Sequence, residues 1–346
     1  MIWSVLGCVL CSALAGTLAL RRYALARQII DVPNARSSHS VPTPRGGGVA
    51  IVLAYLGALV FWRIYAGVAD GLFWSLLLGG GMIAAVGFRD DQVGLPARVR
   101  FGFHLFAAAL AVWNLGGWPV LDLGFSALHW GVAGAVMAVL GLAWSINLYN
   151  FMDGIDGLAG MQAVFVAGAG GALIWLGGYD AMPLWLLAAA SAGFLLLNWP
   201  PAKIFMGDAG SGFLGYAVGV HALHATTSGS TPIWPWLILL AVFVVDATLT
   251  LLRRALRGIR VTDAHRTHAY QWASRRLGAH RPVTLAVLSI NLALLLPLAL
   301  TAQAVPHLAV FLVVLSFSVL AGLAWYLDAG VPEHSAPATS RNITNA

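Results

Sequence analysis

The sequence NLYNFMDGIDGLA, residues 147–159, joins two apolar runs that are each long enough to cross a membrane. It carries Asp153 and Asp156, each followed by a glycine. If the segment is helical, this spacing places both carboxylates on one face. Carboxylates at a membrane boundary are costly unless they face water, a metal or a partner, and a neighbouring glycine lets a ligand approach. The stretch predicts a site that meets a polyanion through a divalent cation; the alternative is a polar loop between two helices.

The composition is that of a polytopic membrane protein. Of 346 residues, 60% are hydrophobic and 9% are charged, and the mean hydropathy is +0.82, whereas about a quarter of the residues in soluble domains are charged. The net charge of +6 does not indicate nucleic acid, because the basic residues are arginines in loops, with Lys203 the only lysine. Such loops indicate contact with anionic lipid headgroups or phosphates. We interpret Cys8 and Cys11, in the first apolar run, as packing residues.

Eleven apolar runs predict an all-α fold, a polytopic membrane helical bundle. The expected spans are 2–20, 47–66, 71–88, 101–117, 129–147, 158–177, 183–198, 211–228, 233–252, 282–301 and 306–327. We expect residues 1–327 to form a single integral-membrane domain and residues 328–346 to form a polar, disordered tail.

The lysine and arginine bias places the N-terminus outside and the C-terminus in the cytoplasm. The cytoplasmic loops are then 21–46, 89–100, 148–157, 199–210 and 253–281. Eight aspartates and no glutamate lie in these five loops or close to them: Asp31, Asp90, Asp91, Asp153, Asp156, Asp208, Asp246 and Asp263. Short carboxylates on a rigid scaffold suit Mg²⁺. The alternative, that they balance arginines, fits the adjacent pair Asp90–Asp91 badly, because like charges repel.

The first, second and fourth inner loops carry candidate phosphate and metal ligands. His39 and Arg45, with the glycines that follow, suit a phosphate at a helix start. In the pair Asp90–Asp91, one carboxylate can bind a metal while the other accepts a proton or aligns the attacking group. Asp208 precedes a helix N-terminus, which also suits an anion and a metal.

The last inner loop combines histidines with many arginines. His265, Arg266 and His268 lie close together, and a zinc site is conceivable from this spacing. Because the surrounding charge is positive, a diphosphate is the better ligand. Asp246 lies within the ninth predicted span, where an acid indicates function by default; the alternative is a buried pairing with an arginine that follows it.

Three motifs carry a resemblance to a known family. They are Asp90-Asp91-x-x-Gly94, Asn150-Phe-Met-Asp153-Gly-Ile-Asp156-Gly-Leu-Ala, and Phe205-Met-Gly-Asp208-x-Gly-Ser211. With the three motifs in this order, the chain from Asp31 to Gln271 resembles the polyprenyl-phosphate N-acetylhexosamine-1-phosphate transferases, which form glycosyltransferase family 4. That family includes phospho-MurNAc-pentapeptide translocase and the enzymes that initiate O-antigen synthesis.

The resemblance implies a role for each matching residue. Asp208 looks like the direct Mg²⁺ ligand, for which Mn²⁺ can substitute, and Phe205 like the aromatic residue that packs on the nucleotide base. From the resemblance and the chemistry of the loops together, we predict metal ligation by Asp208, Asp156 and Asp91, catalytic roles for Asp90, Asp91, Asp153, Asp156 and His268, and substrate binding by Asn150, Asn198, Lys203, Phe205, Arg266, His265, Arg45 and His39.

Two departures from the peptidoglycan enzyme indicate the O-antigen branch. The motif His265-Arg-Thr-His268 replaces consecutive histidines, and Ser37-Ser-His39 lies near where that enzyme has a lysine. The expected partners are undecaprenyl phosphate, a UDP-N-acetylhexosamine (UDP-GlcNAc or a 6-deoxy relative such as UDP-FucNAc or UDP-QuiNAc) and membrane lipids, at the cytoplasmic face of a bacterial inner membrane. A homodimer remains open.

The reaction and its mechanism have alternatives. Direct attack by the lipid phosphate, aided by Asp90 or Asp91, is favoured over a covalent intermediate on Asp91. The other functions are phospho-MurNAc-pentapeptide transfer and, from another class, an ion-coupled transporter that uses Asp246 and the loop acids.

Overall fold

The computed structural model describes residues 2–33, 38, 41–124, 126–260, 263 and 265–332. These residues are mostly helical, as predicted, with two short antiparallel sheets, β1–β2 and β3–β4. The elements are α1 (Ile2–Ala26), β1 (Ile30–Asp31), β2 (Thr43–Pro44), α2 (Gly48–Tyr65), α3 (Asp70–Trp74), a π-helix (Ser75–Gly80), α4 (Gly81–Val93), α5 (Ala97–Asn114), β3 (Leu121–Asp122), β4 (Ala127–Leu128), α6 (Gly131–Met152), α7 (Leu158–Leu176), α8 (Met182–Asn198), α9 (Asp208–Thr227), α10 (Ile233–Leu239), α11 (Ala241–Leu256), α12 (Ala269–Leu277), α13 (His280–Ile290), a second π-helix (Asn291–Leu295), α14 (Leu296–Ala304), a 3₁₀ turn (Pro306–Leu308) and α15 (Ala309–Tyr326).

Many of these helices are long and apolar enough to cross a membrane. Over the described ranges, seven continuous helical segments meet that criterion, and α10 with α11, bent by 73°, would form an eighth. Each of the eleven predicted spans coincides with a helix or a joined helical segment. The three that complete the predicted eleven are α5, α8 and α9, of which α8 is apolar but only 17 residues long. The count of eleven and the orientation of the termini stay predictions.

Helix α9 lies in the core of the bundle. It packs against α6, α4, α2 and α7, and most of its side chains are buried. Where it crosses α6, Ser145 Oγ donates a hydrogen bond to Gly215 O at 2.7 Å. A Cβ atom at Gly215 would lie 2.2 Å from Ser145 O, so only glycine allows this approach. Small residues at such crossings are how membrane helices pack closely.

Two more close approaches bring α2 and α4 to the first turn of α9. A Cβ atom at Gly87 of α4 would lie 2.4 Å from Asp208 O. A Cβ atom at Gly48 of α2 would lie 2.4 Å from Gly210 Cα. These approaches bring the acids at the end of α4, and also the loop before α2, close to Asp208.

The first and fourth inner loops form one layer beneath this point. Strands β1 and β2 pair Ile30 with Pro44. Beyond β2, Phe205 N–H donates to Pro44 O at 2.8 Å, and Gly47 N–H donates to Phe205 O at 2.9 Å. Gly48 N–H donates to Met206 O at 2.9 Å. This backbone pairing fixes Arg45 beside the loop that leads into α9.

Residues 328–332, which were predicted to belong to the disordered tail, pack against the rest of the chain. Ala329 is fully buried, and its carbonyl accepts a hydrogen bond from Arg253 Nη1 at 2.7 Å. Gly330 N–H donates to Thr267 O at 2.7 Å. Residues 328–332 thus fold back onto the last inner loop, and residues 333–346 lie outside the described residues.

Candidate active site

Asp91, near the end of α4, caps the first turn of α9. Its Oδ1 accepts a hydrogen bond from Asp208 N–H at 3.1 Å, and its Oδ2 accepts one from Ala209 N–H at 3.4 Å. A carboxylate in this place satisfies N–H groups that have no partner within the helix, and it is stabilised by the helix dipole. The backbone of α9 thereby holds the acids of the second loop beside Asp208.

Two arginines join these carboxylates. Arg45 Nη2 lies 2.7 Å from Asp91 Oδ1 and 2.8 Å from Asp208 Oδ1. Arg100 Nη1 lies 3.4 Å from Asp208 Oδ2 and also donates to Asp90 Oδ2. Burial opposes the charge on Arg45, but the neighbouring carboxylates raise its pKa above the ordinary value. Positive charge from Arg45 and Arg100 therefore offsets the negative charge of Asp91 and Asp90.

Asp153 is the C-cap residue of α6 and faces the same acids. Its carboxylate has no hydrogen-bond or ion-pair partner in the part of the chain that the structure describes. Burial raises the pKa of Asp153 well above its usual range; Arg45 opposes this, and the charges of Asp208, Asp91 and Asp156 add to it. Such a carboxylate is suited to accept a proton or to bind a cation.

Asp156, three residues on, is held by other loops. Its Oδ2 accepts a hydrogen bond from Ala202 N–H at 3.0 Å. Its Oδ1 lies 3.1 Å from His280 Nδ1, and both side chains are only 13% exposed. The two aspartates of one short motif thus have different surroundings.

Two asparagines tie the same loops together. Asn198 Oδ1 accepts from Gly157 N–H at 3.0 Å, and Asn198 Nδ2 donates to Ile204 O at 3.0 Å. Asn150 Nδ2 donates to Ser211 Oγ at 3.2 Å. Because Asn198 is buried, both of its bonds replace bonds to water and fix the loop backbone.

Two adjoining cavities open among these loops. The first, here the acidic cavity, has a volume of about 390 Å³ and is lined by Asp31, Ser38, Arg45, Asn150, Asp153, Gly154, Ile155, Asp156, Asn198, Phe205, Gly207, Asp208, Gln271 and His280. The second, here the arginine cavity, has a volume of about 650 Å³, and its lining includes Arg266, Arg275 and Arg281. Ser38, Asp156, Phe205 and His280 line both.

Most of the predicted site residues meet at these cavities. The acidic cavity brings together Arg45, Asn150, Asp153, Asp156, Asn198, Phe205 and Asp208, and Arg266 lines the arginine cavity. Asp90 and Asp91 line neither cavity and lie behind Asp208, while Lys203 is exposed and also lines neither. His39 lies outside the described residues.

The two predicted histidines lie to the side of both cavities. The rings of His265 and His268 have centroids 5.0 Å apart, and His268 Nδ1 lies 3.3 Å from Asp246 Oδ1. Asp246 also accepts hydrogen bonds from Ala269 N–H at 2.9 Å and Tyr270 N–H at 3.0 Å. Among the described residues, the partners of Asp246 are His268, Thr250 and the first turn of α12, so the arginine pairing considered for it is wrong there. The catalytic role of His268 stays a prediction.

The metal site was predicted from the carboxylates. Across the described residues, no group of three or more histidine, cysteine, aspartate or glutamate side chains is arranged to hold an ion. A zinc ion bound by His265 and His268 would therefore have no third ligand of these types among the described residues. Carboxylate oxygens are hard ligands of the kind that Mg²⁺ prefers, and ligation of Mg²⁺ by Asp208, Asp156 and Asp91 stays a prediction. Arg45 and Arg100 bridge these carboxylates to one another.

Three residues at the site were not among the predicted ones. Arg100 was attributed to the positive-inside pattern, although it lies only ten positions after its partner Asp90. Gln271 lines the acidic cavity, and its Oε1 accepts from His268 N–H at 3.2 Å. His280 contacts Asp156 across 124 positions, so no local pattern in the sequence indicates it.

Comparison with known proteins identifies a family and several relatives. The sequence pattern of glycosyl transferase family 4 matches residues 73–226. The chain is 30% identical to the decaprenyl-phosphate N-acetylglucosaminephosphotransferase of Mycobacterium tuberculosis, over 75% of this chain and 72% of that protein. It is 30% identical to a probable undecaprenyl-phosphate N-acetylglucosaminyl 1-phosphate transferase of Bacillus subtilis, over 73% and 72%. It is 27% identical to the undecaprenyl-phosphate alpha-N-acetylglucosaminyl 1-phosphate transferase of Escherichia coli K12, over 74% and 71%.

Proposed function

The chain belongs to glycosyl transferase family 4, the polyprenyl-phosphate N-acetylhexosamine-1-phosphate transferases, and from that membership we propose that it transfers N-acetylhexosamine 1-phosphate from a UDP-sugar to undecaprenyl phosphate. An oxygen of the lipid monophosphate attacks the β-phosphorus. The bond from that phosphorus to the oxygen bridging to the α-phosphorus breaks, and UMP leaves. The product is a lipid-linked diphospho-sugar.

One observation carries the proposal: acids and an arginine from three separate loops meet at one cavity where the ends of membrane helices converge. In this reaction two anionic phosphates must approach each other, so catalysis depends on positioning and on offsetting their charge. The lipid keeps its phosphate at headgroup depth, which requires a site at the membrane boundary. The helix ends around the acidic cavity and the residues that line it support this place and this chemistry.

The contacts of each residue suggest its role. Arg45 is placed to pair with a substrate phosphate. Asp153, the cavity acid whose carboxylate has no partner among the described residues, is the group we assign to accept the proton of the lipid phosphate, in place of Asp90 or Asp91, which line neither cavity. Asp208, with the lone pairs that remain on Asp91 and Asp156, would hold Mg²⁺ or Mn²⁺. When bound, that ion offsets the charge that develops on the phosphates.

The finer identity of the substrate is also a proposal. Phe205 lines both cavities, which suits an aromatic residue that packs on the uracil base while the diphosphate enters the acidic cavity. The relatives are named for N-acetylglucosamine, so UDP-GlcNAc is the first candidate, with UDP-FucNAc and UDP-QuiNAc as its competitors. We place the reaction at the cytoplasmic face of the inner membrane, as the first step of O-antigen synthesis.

A panel of labelled UDP-sugars tests this proposal. Membranes that contain the chain are incubated with undecaprenyl phosphate, Mg²⁺ and each UDP-N-acetylhexosamine labelled in the sugar. We expect one sugar to pass its label into a butanol-soluble, acid-labile lipid, and membranes with Asp208→Asn to form none. Absence of a labelled lipid with every UDP-N-acetylhexosamine would overturn the proposal.

A further inference from the structure

Two side chains in the first turns of α13 contact Asp156. His280 and Thr284 lie one turn apart on the same face of this helix. His280 Nδ1 lies 3.1 Å from Asp156 Oδ1, to which it donates when the ring is protonated, and 3.3 Å from Asp156 N, whose hydrogen it accepts when the ring is neutral. Thr284 Oγ1 donates a hydrogen bond to Asp156 O at 3.0 Å. Backbone and carboxylate of one residue are therefore both fixed by a helix more than a hundred positions away.

The other ring nitrogen of His280 reaches a third segment. His280 Nε2 lies 2.9 Å from Ser38 O, and because a carbonyl only accepts, this nitrogen carries the donated proton. Ser38 belongs to the first inner loop, and Asp156 to the third. One imidazole thus connects the first loop, the third loop and the start of α13.

The place of this imidazole gives the contact a functional meaning. His280, Asp156 and Ser38 all line both cavities, so they form part of the wall between the acidic and arginine cavities. The remaining oxygen of Asp156 is held by Ala202 N–H at 3.0 Å from the fourth loop. The orientation of the Asp156 carboxylate is thereby set from opposite sides, by His280 and by the fourth loop.

We propose that His280 is a positioning residue that fixes the Asp156 carboxylate in the wall between the two cavities and so couples the arginine cavity to the acidic one. The kinetic consequence rests on the proposed function. Misorientation of Asp156 slows the transfer step, whereas binding of the UDP-sugar depends on many other groups. Loss of such a supporting contact typically lowers activity about 10- to 100-fold.

Two substitutions separate the two contacts of the ring. The amide of His280→Asn falls near the position of Nδ1 and can still contact Asp156. The amide of His280→Gln falls near Nε2 and can still donate to Ser38. We expect His280→Ala to lower kcat about 10-fold or more with KM for the UDP-sugar within about threefold. His280→Asn should recover most of kcat, and His280→Gln should not.

The matched control is His307→Ala, an exposed histidine in the turn before α15. Rates are referred to monodisperse protein, so a mere loss of folded protein does not lower kcat. Equal activity of His280→Ala and wild type, or recovery by glutamine rather than asparagine, would overturn the proposal.

Hydrogen exchange tests the same contact without any substrate. In His280→Ala, the amide of Ala202, which donates to Asp156, should exchange faster than in wild type or in His307→Ala. Unchanged exchange at residues 155–157, 199, 202 and 203 would refute the positioning role. If the wild-type protein transferred no sugar phosphate, the proposed function would fail while this measurement still decided the role of His280.

Discussion

Acidic residues at the two ends of the bundle have different kinds of partners. At the end away from the cavities, Asp122 accepts from Gly124 N–H and Asp180 accepts from Met182 N–H, each two positions on. At the cavity end, Asp91 and Asp208 meet across 117 positions, and Arg45 reaches Asp208 across 163. Local partners stabilise turns and helix starts, whereas partners that converge from distant loops build a site. Although Trp62 also reaches Asp180, across 118 positions, that contact adds no second charge.

The largest effect is expected at Asp208, where the contacts from distant loops meet. Asp208→Asn keeps the size of the side chain but removes the charge that Arg45 and Arg100 contact and that would hold the metal. We expect transfer activity to fall about 1000-fold. Asp180→Asn, at the other end, is the control and should retain activity within about twofold. Comparable losses in both variants would show that the two ends do not differ as described.

Arg45 is the next test, because it bridges two carboxylates. Arg45→Ala should lower kcat about 100-fold, while Arg45→Lys, which keeps the charge without the planar fork, should lower it about 10-fold. Both variants are compared with Arg63→Ala, whose partner Asp70 lies only seven positions away. Full activity of Arg45→Ala would remove this arginine from the site.

The next prediction concerns Asn198, whose loss should change the stability of the protein more than its rate of transfer. Asn198→Ala leaves Gly157 N–H and Ile204 O without their partner in a buried place, which costs about 2–4 kcal/mol. We expect a lower midpoint in thermal unfolding and a smaller loss of activity than for Arg45→Ala. A midpoint equal to that of wild type would mean that the loops are held together by other contacts.

The smallest expected effect is at the opposite end. Asp122→Ala removes one exposed hydrogen bond within a turn, so stability should change by less than about 0.5 kcal/mol and activity by less than about twofold. Thermal unfolding and the transfer assay measure both. A large loss of activity would give the far end a function that its local contacts do not indicate.

The helical bundle and the loops that build the site could be predicted from the sequence, because apolar runs and paired aspartates are local patterns. The opposite environments of Asp153 and Asp156 could not, because they depend on His280 and Ala202, which are distant in the chain. The same reason hid the contact of Arg100, on α5, with Asp208, which lies 108 positions later. For Asp246 the sequence left a functional role and an arginine pairing open, and its contacts with His268 and the first turn of α12, 22 to 24 positions later, form no local pattern.

The most direct test of the central claim follows the phosphate itself. Purified protein, undecaprenyl phosphate and Mg²⁺ are given UDP-GlcNAc, or the UDP-sugar identified in the panel, labelled both in the sugar and in the β-phosphate. We predict that both labels enter the lipid in equal molar amounts, with one UMP released for each. Sugar that enters the lipid without the β-phosphate, with UDP as the product, would contradict the account.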